Sequence, residues 1–152
     1  VKRDKIAGLW QMFGDMGYAN SDIRKLNHTG THPVATDLTI SDAIDFQNFI
    51  GIPRKQKRLH YLKEYWMQKV CNHPNVVCNT PIDSSRSCGI ANVGIKDMKP
   101  EQLAKVLLEK YKIWTVAIDY ANVHGVRITP NVYTTTGELD QLVDALLEIA
   151  NQ

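Results

Sequence analysis

Beyond Pro74 the hydrophobic period of the chain switches repeatedly, and the order of those switches restricts the fold more than any other feature. Asn75 to Asn79 and Gly89 to Ile95 read as short strands. Lys99-Pro100-Glu101 then opens a helix, where a proline in the first turn removes an N–H that would have no partner. Leu103, Leu107 and Tyr111 line its inner side, with Ala104 and Leu108 beside them. Ile113 to Ile118 is apolar and β-branched, as strands favour, and residues 125 to 129 form a further strand. Thr135 and Glu138 have capping-box spacing, in which the hydroxyl and the carboxylate each accept from the other residue's backbone N–H. Leu139, Leu142, Val143, Leu146 and Ala150 then give one apolar face to the last helix. The order β-β-α-β-β-α predicts an α+β fold: a small, mostly antiparallel sheet with helices packed on one face.

Ahead of that region the pattern is helical. Ile40, Ala43, Ile44, Phe46, Phe49 and Ile50 recur at roughly helical spacing. Gly51 is a good stop and Pro53 a good restart. Leu59, Leu62, Trp66 and Val70 then mark the inner stripe of a long amphipathic helix. Arg54, Lys57, Arg58, Lys63 and Lys69 are expected mostly on its wet face. The first 33 residues are irregular and polar, a length of loop that is usually functional or partner-stabilised. The predicted division is an irregular segment, 1–33, and a domain, 34–152, that includes its leading long helices.

The 152 residues suffice for one domain with a sizeable core. A net charge of +2 is too small for a nucleic-acid footprint. The basic run Arg54 to Arg58 opens a helix with acidic residues nearby and reads as a solvated face. No apolar run reaches the length of a membrane span, and the first residues do not resemble a signal peptide. Cys71, Cys78 and Cys88 match neither a paired zinc motif nor a redox Cys-x-x-Cys, and are expected as free thiols. That fits a reducing, cytoplasmic setting. His28 and His32 are spaced i, i+4, but Gly30 and Pro33 argue against the helix a shared metal would need. No metal site is expected. The tryptophans read as packing. The chain opens on Val1 with no initiator methionine and reads as a piece of a longer protein.

One residue admits both a structural and a functional account. Arg127 lies between Val126 and Ile128 in the penultimate element. Side chains alternate across a strand, so if its neighbours enter the core Arg127 faces outward. It is then either a solvated or internally paired arginine, or a planar fork that holds a carboxylate or phosphate. Asn122 and His124 come just before it, and either could line a substrate site or be plain surface residues.

The stretch Arg127-Ile-Thr-Pro-Asn-Val-Tyr-Thr-Thr-Thr followed by Glu138-Leu-Asp-Gln-Leu resembles the closing segment of class V aminotransferases. These are fold-type I pyridoxal-phosphate enzymes that include cysteine desulfurases and isopenicillin N epimerase-like proteins, and the chain looks most like the latter. Gly30-Thr31-His32-Pro33 with the helix behind it is similar to the family's Gly-Thr loop. The two motifs occur in the family's order, and the resemblance runs from about Arg3 to Ala150. It implies the small C-terminal domain of such an enzyme, with residues 1–33 a remnant of the large cofactor domain. It also implies an amino-acid substrate, pyridoxal 5'-phosphate as cofactor and a homodimer. Arg127 matches the arginine that binds the substrate α-carboxylate, with Asn122 and His124 as further substrate-side candidates. Thr31 matches the threonine that contacts the cofactor phosphate of the neighbouring subunit, with Gly30 and His32 beside it. At His32 the chain departs from the Pro-Asn frequent in the family.

The resemblance also says what is missing. The family's Schiff-base lysine typically follows a histidine, and none of the twelve lysines here does. That lysine lies upstream of a stretch like VKRDKI in the family, so the fragment by itself is expected to be inactive. The desulfurases carry a nucleophilic cysteine shortly before the arginine, whereas Asp119 to His124 reads DYANVH, so persulfide chemistry is disfavoured. The competing expectation is a non-catalytic α+β module that binds a partner and retains an enzyme-like sequence.

Overall fold

The structure, a computed structural model, describes residues 1–12, 17–27, 30–31 and 33–152. The chain divides into two compact units, Val1–Phe46 and Gln47–Gln152.

In the first unit two short 3-10 turns, Arg3–Gly8 and Ile23–Leu26, stand where the sequence looks irregular. Asp22 caps the second turn by accepting from Arg24 N–H at 2.9 Å. The Arg24 guanidinium bonded to its carboxylate holds Asp22 below the usual carboxylate range. Ile6 and Lys25 are buried. A buried ammonium needs acceptors, and Lys25 Nζ finds Leu9 O at 2.8 Å and Asn20 Oδ1 at 2.7 Å. Helix α1, Val34–Ile50, whose last four residues belong to the second unit, begins where the periodicity places it but buries no residue. Ile40, Ile44, Phe46 and Phe49, expected to face inward, are exposed. Leu38 and Val34 are exposed as well, so the apolar residues of this helix are not confined to one stripe.

The second unit holds the core. Gly51, at φ 84°, takes a backbone conformation that side chains disfavour and so separates α1 from α2, Ile52–Val70. Then follow β1 (Val76–Cys78), β2 (Ala91–Ile95), α3 (Pro100–Tyr111), β3 (Val116–Tyr120), β4 (Val123–Ile128) and α4 (Thr136–Ala150). The fold is α+β, with a four-stranded sheet in the order β1-β2-β4-β3 and every neighbouring pair antiparallel. Val93, Val126 and Ile128 meet Leu62, Trp66 and Val70 of α2, Leu103 and Leu107 of α3, and Leu142 and Leu146 of α4 in one apolar cluster. The capping box forms: Glu138 N–H donates to Thr135 Oγ1 at 3.2 Å and Thr135 N–H donates to Glu138 Oε2 at 2.7 Å. Among the described residues no helix is long and apolar enough to cross a membrane.

Three sequence expectations need correction. The strand expected over 113–118 runs from Val116 to Tyr120. Lys112 ends α3 in a left-handed conformation, and Ile113 N–H donates back to Leu107 O at 2.9 Å, so the next residues serve to leave the helix. Lys63 is not on a wet face: it is fully buried. Its Nζ donates to Ile82 O at 2.9 Å and Ser87 Oγ at 2.5 Å, tying the β1–β2 connection to α2. Finally, Cys71 and Cys78 are not free thiols but a disulfide with Cα atoms 5.7 Å apart, while Cys88 is free and exposed. A seven-residue separation gives no sign of this. It arises because the turn after α2 returns the chain alongside the helix end, where His73 N–H donates to Val70 O and Val76 N–H to His73 O. With that pair joined, the thiol argument for a reducing compartment falls.

Candidate functional site

Arg127 sits on β4, an interior strand, with Asn92 of β2 and Val116 of β3 as its cross-strand partners. Val126 and Ile128 enter the core and Arg127 is exposed, as strand alternation requires. Among the described residues its guanidinium makes no hydrogen bond or ion pair. It lines a cleft of ≈ 360 Å³ formed by the segment before β3, the end of β4 and the first turns of α4. Trp114, Val116, Thr129, Thr134 and Glu138 share that lining.

Among the described residues, the one carboxylate lining the cleft does not neutralise the arginine. Glu138 Oε2 accepts from the Thr135 N–H and, at 2.8 Å, from the Thr135 hydroxyl. These bonds, the backbone one foremost, hold Glu138 below the usual carboxylate range. The cleft's lysine, Lys112, is turned back to the end of α3, where its Nζ donates to Glu109 O at 2.9 Å. What remains is a permanent cation facing a small cavity, without a counter-charge among the described residues. That combination is suited to a carboxylate or phosphate, which the guanidinium can hold through two parallel N–H donors.

The surroundings of Arg127 are fixed from two sides. The loop after β4 is pinned by Arg58 of α2, which donates to Thr134 O at 2.9 Å and Val132 O at 3.5 Å. Within the loop, Asn131 N–H donates to Thr134 Oγ1 at 3.0 Å. Arg58 was expected on a wet face, and no sequence signal marks this role, because its partners are carbonyls more than seventy residues away. On the β2 side, Asn92 N–H donates to Thr80 Oγ1 and Asn92 O accepts from Asn79 N–H. Both its backbone groups thus point toward β1, so Asn92 and Arg127 form a non-hydrogen-bonded pair, in which side chains lie close. Asn79 Nδ2 donates to Asn92 Oδ1 at 2.7 Å, and the Asn92 amide is buried, its Nδ2 without a partner among the described residues. A Cβ added at Gly125 would lie 2.6 Å from Asn92 Oδ1 and collide with Val93 O. Glycine is what lets the amide lie flat against β4 there.

The other residues singled out from sequence are placed as follows. Asn122 is exposed in the tight turn between β3 and β4, five residues from Arg127, roughly 16 Å along an extended strand. His124 is three residues from Arg127 and so on the other side of β4; its Nδ1 lies 2.6 Å from Asp119 Oδ1. Neither lines the cleft with Arg127. In the first unit Thr31 is exposed, and it follows Gly30 at φ 137°. His32, like His28, lies outside the described residues. Among the described residues no group of three or more His, Cys, Asp or Glu could hold a metal ion.

Comparison with known proteins agrees with this architecture. The model of the class-V aminotransferase family matches residues 13–142. The chain is 26% identical over 130 residues to a probable cysteine desulfurase of Streptomyces coelicolor, covering 80% of this chain and 31% of that protein. It is 26% identical over 125 residues to isopenicillin N epimerase of Streptomyces clavuligerus, covering 82% of this chain and 31% of the epimerase. Among solved structures, the cysteine desulfurase CsdA from Escherichia coli superposes with a TM-score of 0.76 at 18% identity, over 97% of this chain and 41% of that one. The apo cysteine desulfurase from Thermococcus onnurineus NA1 gives 0.71 at 15% identity, over 84% and 34%. The chain belongs to the class-V aminotransferase family, whose enzymes use pyridoxal phosphate. It spans about a third of the length of the two Streptomyces relatives.

Proposed function

We propose that this chain is the substrate-orienting C-terminal part of a pyridoxal-phosphate-dependent enzyme acting on an amino acid, an aminotransferase, epimerase or related lyase, with Arg127 as the carboxylate anchor. The observation that carries the reading is the Arg127 guanidinium, unpaired among the described residues, in a cleft of amino-acid size. Family membership supports the cofactor class, and the two Streptomyces relatives support amino-acid chemistry.

The donors in the cleft fit one end of an amino acid but not a covalently held pyridoxal phosphate. A Schiff base needs a free lysine amine within reach of Arg127, and the cleft's only lysine is Lys112, bonded to Glu109 O. Lys25 and Lys63 are buried and hydrogen-bonded to carbonyls of their own units. No chemical step is therefore assigned to this chain. Its part is orientation: a carboxylate clamped by two donors fixes which bond at the α-carbon faces the reacting group, and fixed geometry lowers the barrier in proportion. In the full-length protein, which we take to act as a homodimer, Thr31 is assigned to the cofactor phosphate of the neighbouring subunit, with Gly30 and His32 shaping that loop. Asn122 and His124 are outer contributors to the substrate side at most.

The test is Arg127→Ala in the full-length enzyme. A charge-assisted bond contributes about 1.5–3 kcal/mol, so KM for amino acids rises by roughly ten- to a hundredfold while the cofactor's absorbance is unchanged. An unaltered KM removes Arg127 from the site.

A further inference from the structure

We propose that Trp114, with Val116, is a specificity-determining surface of the Arg127 cleft, and that the amino acid it selects carries a large apolar or aromatic side chain. The inference rests on the assignment of Arg127 as the carboxylate anchor and adds where the rest of the ligand goes.

The strand register fixes the direction. A carboxylate on Arg127 has β2 on one side and β3 on the other. Toward β2 the face is filled: Asn92 retains 7% of its exposure, and its amide is locked to Asn79 and lies against Gly125. No residue of β2 lines the cleft, so it does not extend in that direction. Toward β3 the direct neighbour is Val116, half-buried, and two residues ahead of it comes Trp114, which lines the same cleft and is 73% exposed. An indole left this open beside a cavity of ≈ 360 Å³ is apolar surface that a ligand can remove from water.

The charges of the cleft point the same way. An acidic side chain would need a second cation, and the ammonium of Lys112 is turned onto Glu109 O. A basic side chain would need a free carboxylate, and that of Glu138 is held in its capping box. The polar side chains left are all uncharged: the hydroxyls of Thr115, Thr129 and Thr134, of which the last already accepts from Asn131 N–H, and the amide of Gln141. An uncharged ligand side chain lying over Val116 and against Trp114 is the one that leaves no charge unmatched.

Calorimetric titration of the full-length, cofactor-loaded protein with L-phenylalanine, L-alanine and L-glutamate tests this, comparing wild type with Trp114→Ala, Trp114→Phe and Arg127→Ala. The expected order in wild type is phenylalanine, then alanine, then glutamate. Trp114→Ala weakens phenylalanine about tenfold and alanine less, an aromatic contact of the ordinary size converted to affinity, and Trp114→Phe restores most of the preference. Trp114 is exposed, so its replacement leaves the core intact, and circular dichroism checks this. If Trp114→Ala keeps the phenylalanine-to-alanine ratio while Arg127→Ala weakens all three, the inference is overturned and the carboxylate assignment stands. Glutamate or alanine as the tightest ligand of the wild type overturns it too. If Arg127→Ala changes nothing, both fall.

Discussion

The two units of this chain use apolar residues in opposite ways. In Gln47–Gln152, the apolar stripes expected from sequence on α2, α3 and α4 meet the sheet in one cluster, and Trp66, Leu62, Leu103, Leu107 and Leu146 lose all contact with water. In Val1–Phe46, Ile6 is the buried hydrophobic among the described residues, and the helix that ends this unit buries nothing. The residue types are alike; Phe46 of α1 is 59% exposed and Trp66 of α2 fully buried. Periodicity tells which side of a helix could be buried, and only a partner surface decides whether it is.

The largest effect that could break this contrast is at Trp66. Trp66→Ala removes a fully buried ring from the centre of the cluster and is expected to cost about 3–5 kcal/mol. Leu38→Ser on α1, at 69% exposure, is expected to change stability by no more than about 0.5 kcal/mol in the monomeric chain. Urea denaturation followed by far-ultraviolet circular dichroism measures both. A Leu38→Ser cost as large as that of Trp66→Ala means that α1 is packed in solution, and the contrast fails.

A smaller effect comes from the disulfide. It ties the end of α2 to β1, and closing so short a loop restricts the unfolded chain by about 2 kcal/mol in the chain-entropy account. The double variant Cys71→Ser, Cys78→Ser is expected to lose that much, and reduced wild type to match it. Equal stability with and without dithiothreitol shows the bond to be unformed or inconsequential, and the second unit then stands on its apolar cluster alone.

How far the sequence could be read follows the same physics. Elements whose signals are local were legible: the capping box of Thr135 and Glu138, Pro100 in the first turn of α3, Gly51 between two helices, and the alternation that turns Arg127 away from Val126 and Ile128. Features that depend on a distant backbone group were not. Lys63 is buried because Ile82 O and Ser87 wait for it, Arg58 holds carbonyls of the loop after β4, and Cys78 meets Cys71 through a turn. A charged residue in a helix gives no sign of such partners, so its bland reading as a wet-face residue is the natural one. The cleft itself falls between these cases. Arg127 stood out as a cation among β-branched residues, whereas Trp114 read as packing, since nothing in the sequence says that the residues after α3 unwind and leave its ring exposed.

The smallest effect expected here bears on the cleft wall. Thr135→Ala removes the hydroxyl that accepts from Glu138 N–H and is expected to cost about 1 kcal/mol. The acid side of the same box has a pH signature. The Thr135 N–H and hydroxyl hold Glu138 below the usual carboxylate range in the folded chain. A group depressed on folding adds stability that is complete above its unfolded pKa and is lost as pH falls through the folded one. Glu138→Gln cannot titrate, so the gap between wild type and this variant should be constant at neutral pH and narrow as pH drops below the ordinary glutamate range. Asp140, depressed by Lys69 and then Tyr65, titrates in both proteins and cancels from the difference. A gap that widens in acid would mean that folding raises Glu138 above its unfolded value, and the capping box would then not hold its carboxylate in solution.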